Sequence, residues 1–175
     1  MCFHLIQGDI IHMKVDAIVN AARTDLKCSA GICSAIFAAA DTEALSRACD
    51  RIGYCASGWA VVTKAYGLPA RYIIHTAGPS SYSGRKNDRF ILSSCYKHSL
   101  DMAVAYNCKS VAFPLIFSGD FHIPRKEAIL IAKKSIEKYI KYHPLDVYLV
   151  LYNPAIYEFA EKVIREDKPR KIWNR

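Results

Sequence analysis

Three stretches of the chain gather side chains that can do chemistry. Gly8-Asp9-Ile10 puts a carboxylate at the end of a strand-like run, where it can accept a hydrogen bond from a ligand or cap a local turn. Residues 20–33 hold an amide (Asn20), a guanidinium (Arg23), a glycine (Gly31) and a thiol (Cys33), with Gly31 and Ile32 leading into a helical pattern. A thiol in the first turn of a helix, near a guanidinium, is set up to become a thiolate nucleophile. Without a visible base partner, Cys33 reads rather as a small buried apolar residue facing the pocket wall. The third stretch, Ser118-Gly119-Asp120-Phe121-His122, adds a carboxylate and an aromatic ring. Arg23 and Asp120 can pair across the two loops and neutralise each other.

Positioning such groups needs a scaffold, and hydrophobic periodicity supplies one. Runs rich in β-branched and aromatic residues predict strands at 2–6, 17–20, 60–63, 72–75, 110–115 and 146–151. Helical patterns fall between them at 32–40, 42–52, 88–106, 124–142 and 154–166. In the fourth, Ala128, Ile131, Ala132, Ile136, Tyr139 and Ile140 follow a 3.6-residue period, and Pro124 suits the first helical turn. Parallel strands need crossover connections, usually helices, so this alternation predicts an α/β fold. The expected architecture has three layers, α/β/α, around a mixed, mostly parallel sheet of about six strands. Ligands of such open sheets bind beyond the strand carboxyl ends, where loops enter helices. The segments 21–33 and 114–124 are two such loops, and 80–87 is a third, rich in Ser and Gly.

Composition excludes several classes. With 52% hydrophobic and 23% charged residues among 175, the chain reads as one folded domain over 1–166 with a basic tail at 167–175. No apolar stretch approaches the roughly 20 residues that span a bilayer, and the N-terminus has no signal-peptide pattern. A cytoplasmic protein without membrane contact is expected. Seven cysteines at irregular spacings, with no Cys-x-x-Cys, support neither a disulfide framework nor a zinc site. The expectation is free thiols, no metal and no cofactor. The net charge of +8 owes much to Lys162, Arg165, Lys168, Arg170, Lys171 and Arg175. No aromatic residues interleave Arg85, Lys86 and Arg89, so a nucleic-acid partner is not expected.

The motifs carry a resemblance. Gly8-Asp9-Ile10, Val19-Asn20-Ala21-Ala22, Cys55-Ala56-Ser57-Gly58, Leu68-Pro69-Ala70-Arg71-Tyr72, Ile74-His75-Thr76-Ala77-Gly78-Pro79 and Phe113-Pro114-Leu115-Ile116 stand in the order and spacing of the macrodomain family. The chain resembles this ADP-ribose-binding, Appr-1-p processing family from Gly8 to about Leu151, and most of all its bacterial protein-ADP-ribose hydrolase-like branch.

The resemblance implies a binding site made by Asp9, Ile10, Asn20, Gly31, Ile32, Ser118, Gly119, Asp120 and Phe121. Asp9 and the Ile10 backbone would take the adenine, the turn at Gly31 and Ile32 the diphosphate, and Phe121 would lie against the distal ribose or simply cover the core. The family's phosphate turn holds several glycines, whereas this chain reads Cys28-Ser29-Ala30-Gly31, and each added Cβ restricts the loop. Asp120 would repel a diphosphate. His122 replaces a glycine and reads as an exposed imidazole. Hydrolases of the family use an Asn and an Asp at the positions of Arg23 and Cys33. Arginine accepts no hydrogen bond and a neutral thiol is no carboxylate, so no catalytic residue is assigned. The resemblance therefore implies a module for ADP-ribose or a related nucleotide, with weakened affinity, a remodelled distal pocket and little or no hydrolase activity. The alternative is an active hydrolase of mono-ADP-ribosylated protein or of an ADP-ribose derivative.

Overall fold

The six β-rich runs form one sheet, and every predicted helix is present. The computed structural model describes residues 2–78, 86–116 and 123–167. In chain order the elements are β1 (Phe3–Gln7), β2 (Ala17–Ala22), α1 (Ile32–Ala39), α2 (Thr42–Ile52), β3 (Ala60–Lys64), β4 (Tyr72–Ala77), α3 (Lys86–Ala105), β5 (Ser110–Phe113), α4 (Arg125–Ile140), β6 (Asp146–Leu151) and α5 (Pro154–Glu166). A short 3-10 turn, Ile10–His12, follows β1 and has no counterpart in the periodicity. Pro124 stands just before α4 as its N-cap, with ψ of 126°, and not inside the first turn.

Strand order is β1-β6-β5-β2-β4-β3. All neighbours are parallel except β3, which runs antiparallel beside β4. Successive side chains of a strand point to opposite faces, and each face has its own core. Ala17, Val19, Ile74, Phe113 and Leu149 pack towards α3, α4 and α5. Ile18, Ile73, Ala112 and Val150 pack towards α1 and α2. The result is the three-layer α/β/α architecture that the alternation predicts.

This alternation places the polar residues of the site. Asn20 and His75 follow Ile18 and Ile73 by two residues, so both face α1 and α2, and they are register partners across β2 and β4. Because β1, β6, β5, β2 and β4 all run the same way, their carboxyl ends and the loops after them share one edge of the sheet. No helix among the described residues is long and apolar enough to cross a membrane.

Candidate functional site

A cavity of about 500 Å³ opens at that edge. Gly8, Asp9 and Ile10 line it from the end of β1, Pro114 and Leu115 from the end of β5, and Val150, Leu151, Tyr152 and Asn153 from the end of β6. Gly31, Ile32 and Ala35 close it from α1, and Ile156 from α5. Its size suits a small organic ligand, and its wall is mostly apolar with a few polar groups.

Asp9 caps a local turn and borders the cavity. Its Oδ1 accepts a hydrogen bond from the Ile11 amide at 3.1 Å, capping the 3-10 turn, while the residue also lines the cavity. Ile10 beside it is buried. Tyr152 leaves the end of β6, the sheet neighbour of β1, with 78% of its surface exposed, offering an aromatic face at the cavity. Asn153 turns inward on the backbone. Its side chain caps α5 by accepting from the Ala155 and Ile156 amides at 2.9 and 3.3 Å.

Gly31 governs the entry to α1. Its φ of +70° lies in the left-handed region, where a Cβ would strain the backbone even though the space around it is open. The residue is the N-cap of α1 and, lacking a side chain, leaves the first-turn N–H groups without a side-chain cap. Unpaired helix N-terminal amides with the positive end of the helix dipole form an anion site. Here they border the cavity.

Cys33 lies in that first turn, but it faces inward at 1% exposure. Its Sγ accepts from the Ser29 amide and from Asn20 Nδ2, each at 3.5 Å. Asn20 is fully buried beneath the cavity and does not line it. Its Nδ2 also reaches His75 Nδ1 at 3.1 Å, and His75 Nε2 lies 3.0 Å from Thr63 Oγ1. Thr63 donates its own hydroxyl proton to the Lys64 carbonyl at 3.0 Å. It must therefore accept from His75, which fixes the proton on Nε2 and makes Nδ1 the acceptor for Asn20. Burial pulls the His75 pKa down to about 4, so the ring is neutral near pH 7. One atom of this hydrogen-bonded network is left over: Asn20 Oδ1 is buried with no partner among the described residues.

Arg23 is drawn away from Cys33. Its guanidinium grips Asp25 with Nε to Oδ1 at 3.1 Å and Nη2 to Oδ2 at 2.8 Å, and 59% of its side chain is exposed. The arrangement favours Cys33 as a small buried residue over a thiolate held by a neighbouring guanidinium. Ser118, Gly119, Asp120, Phe121 and His122 lie outside the described residues, as do residues 79–85 and 168–175. The expected Arg23 to Asp120 pairing involves Asp120 and so also lies outside the described residues. The structure brings Asp9, Ile10, Gly31 and Ile32 to one cavity.

Sequence reasoning missed Tyr152, Asn153, Pro114 and Leu115 as lining residues. For Tyr152 and Asn153 the signal is their position directly after the predicted strand 146–151, whereas Pro114 and Leu115 belong to the expected loop 114–124 and also fall within the predicted strand 110–115. His75 was noted within a motif but not as part of a network. Its contact with Asn20 spans 55 residues, and periodicity does not show such pairings.

Comparison with known proteins agrees with this geometry. A family model described as Macro domain matches residues 19–132. A Macro domain-containing protein of Methanosarcina mazei is 42% identical over 85% of this chain and 80% of its own length. A protein of Escherichia fergusonii named O-acetyl-ADP-ribose deacetylase is 42% identical over 86% and 88%. Among solved structures, the Oceanobacillus iheyensis macrodomain with ADP superposes with a TM-score of 0.87 at 28% identity, covering 93% of this chain and 89% of its own. With the strand order, the cavity at the strand carboxyl ends and a match over most of the chain in agreement, this protein belongs to the macro domain family.

Proposed function

We propose that this protein binds ADP-ribose, or a close derivative of it, in the cavity between Asp9 and α1, and that it turns the ligand over slowly or not at all. The observation that carries the reading is the juxtaposition of an apolar, aromatic-rimmed cavity with the uncapped N-terminus of α1. A nucleoside diphosphate has matching parts. Its purine suits the apolar wall, the free face of Tyr152 and the Asp9 carboxylate, and its diphosphate suits the amides after Gly31. The ligand named for the Oceanobacillus iheyensis structure, ADP, is of this class.

Weak turnover follows from what stands at the family's catalytic positions. Arg23 is engaged with Asp25, and Cys33 is a buried thiol hydrogen-bonded to Asn20. Neither offers a carboxylate or an amide to orient water at the distal ribose. Ser29 and Ala30 stand where the family's phosphate turn has glycines, and the resemblance implies that Asp120 adds a negative charge, so the expected affinity is weaker than micromolar. Calorimetric titration with ADP-ribose tests the binding, and an assay for release of ADP-ribose from a modified protein tests the chemistry. Micromolar binding together with efficient release would overturn the reading.

A second reading rests on the relatives. Proteins named O-acetyl-ADP-ribose deacetylase are 40% to 42% identical to this chain, including one from Escherichia coli that is 40% identical over 93% of it. Positioning and preorganised electrostatics can sustain hydrolysis after one side chain is lost. Acetate release from O-acetyl-ADP-ribose by the natural sequence would establish it. If Arg23→Asn with Cys33→Asp is needed before acetate appears, the binding-module reading stands.

A further inference from the structure

Three of the seven cysteines meet around the N-terminus of α1. Cys28 is exposed on the loop before the helix, Cys33 is buried in the first turn, and Cys49 is buried on α2. The Ser29 amide nitrogen, which is bonded to the Cys28 carbonyl carbon, lies 3.5 Å from Cys33 Sγ. Cys28 Cα therefore lies within about 6 Å of that sulfur. Cys28 Sγ itself stays beside the Ser29 carbonyl at 3.9 Å. Residues 28 and 29 belong to no helix or strand, so no ladder of hydrogen bonds opposes a small movement there.

We infer that Cys28 and Cys33 form a dithiol site that low-molecular-weight disulfides close into an intramolecular disulfide, tightening the loop at the diphosphate end of the cavity. The part concerning ligand rests on the ADP-ribose reading above. Exposure decides the order of events. The Cys28 sulfur, after losing its proton to solvent, attacks one sulfur of R–S–S–R, forms a mixed disulfide and releases R–S⁻, which takes up a proton. Cys33 Sγ, which no external disulfide can reach, then attacks the Cys28 sulfur, loses its proton and expels the second R–SH. Two protein thiols are oxidised and one external disulfide is reduced to two thiols.

The neighbouring thiols support the pairing. Burial raises the Cys28 pKa, and Cys33 raises it further by charge and by hydrogen bonding between the side chains. Burial pushes the Cys49 pKa to about 11, with Cys33 the next cause, and its place within α2 leaves it no free backbone to move. The attacking partner for Cys33 is thus the loop cysteine. Closure draws residues 28–31 onto the helix start, and Gly31 is the hinge that presents the first-turn amides to the cavity. The disulfide form should bind the diphosphate less well.

The test is to treat reduced protein with excess oxidised glutathione, block residual thiols and digest with trypsin. Lys27, Arg47 and Arg51 place Cys28 and Cys33 in one tryptic peptide and Cys49 in another. The expected product is the 28–47 peptide lighter by two hydrogens and unblocked at both cysteines, restored by dithiothreitol. Cys33→Ala should instead keep one glutathione on Cys28, and Cys28→Ser should give neither species. A stable glutathione adduct on Cys28 of the natural sequence, or linkage between the 28–47 and 48–51 peptides, would overturn the pairing. Calorimetry on the two redox forms should show several-fold weaker ADP-ribose binding when oxidised. Equal affinity overturns the effect on the loop, whereas no binding by either form counts against the nucleotide reading and leaves the peptide map to judge the dithiol.

Discussion

The two ends of the central sheet treat their polar groups in opposite ways. At the amino end Asp16, just before β2, gathers donors from two other strand starts. Its Oδ2 accepts from the Lys109 amide at 2.7 Å, the Ser110 amide at 3.2 Å and the Ser110 hydroxyl at 3.3 Å, while Arg71 meets Oδ1 at 3.3 Å. Burial would raise the Asp16 pKa, but these bonds outweigh it and hold the carboxyl below the usual range. At the carboxyl end, by contrast, Asn20 Oδ1 has no partner among the described residues, and the first-turn amides of α1 have no side-chain cap. One end is closed on itself and contributes stability. The other leaves the first-turn amides of α1 without a side-chain cap at the border of the cavity, and a ligand site needs that hydrogen-bonding capacity.

That contrast can be broken or sharpened by experiment, beginning with the largest effect. Folded His75 titrates near 4, against about 6.5 for an exposed histidine, so at intermediate pH the unfolded chain binds a proton that the folded one refuses. Stability is then full above pH 6.5 and falls as pH drops, by on the order of 3 kcal/mol at pH 4. Urea midpoints from pH 7 to 5, above the carboxylate range, should show the decline, and His75→Gln should flatten it. A flat profile for the natural sequence would mean that the buried network tolerates an imidazolium.

Asp16→Ala comes next. Removing several hydrogen bonds and leaving the Lys109 and Ser110 amides without their carboxylate should cost about 2–3 kcal/mol in urea unfolding. ADP-ribose affinity, read by calorimetry, should not change, since the residue sits at the far end of the sheet. Tyr152→Ala should do the reverse. With 78% of the residue exposed, thermal unfolding should barely move, while loss of a stacking face should weaken ADP-ribose binding about tenfold. If both variants altered both quantities, the division of labour between the two ends would fail. The smallest effect is expected from Arg23→Ala, which removes only an exposed pair with Asp25 and should leave stability and affinity as they are.

Much of the fold was legible because it rests on local rules. The prediction for residues 146–151 matches β6 end to end, and 154–166 matches α5, where Pro154 follows the capping Asn153. Where bounds shifted, the cause was also local. Strand β4 runs on to Ala77, two residues past the predicted end, because β3 and β2 both continue pairing with it there or close by. The turn at Ile10–His12 escaped notice since three residues are too few to show a period.

The sequence by itself determined the α/β class, the six strands, the five helices and the edge at which loops cluster. Those features follow from side-chain periodicity and from the glycine and proline signals that interrupt it. Only the tertiary structure decided that Asn20 is buried against His75, that Cys33 points inward beside the Cys28 loop, and that Tyr152 faces Asp9's cavity. Each depends on contacts between residues far apart in the chain, or on a choice among several available partners. Arg23 shows the second case, because its sequence position put it near Cys33, yet among the described residues its guanidinium pairs with Asp25. A periodic pattern constrains which face a residue takes; which neighbour it finds there is settled by packing.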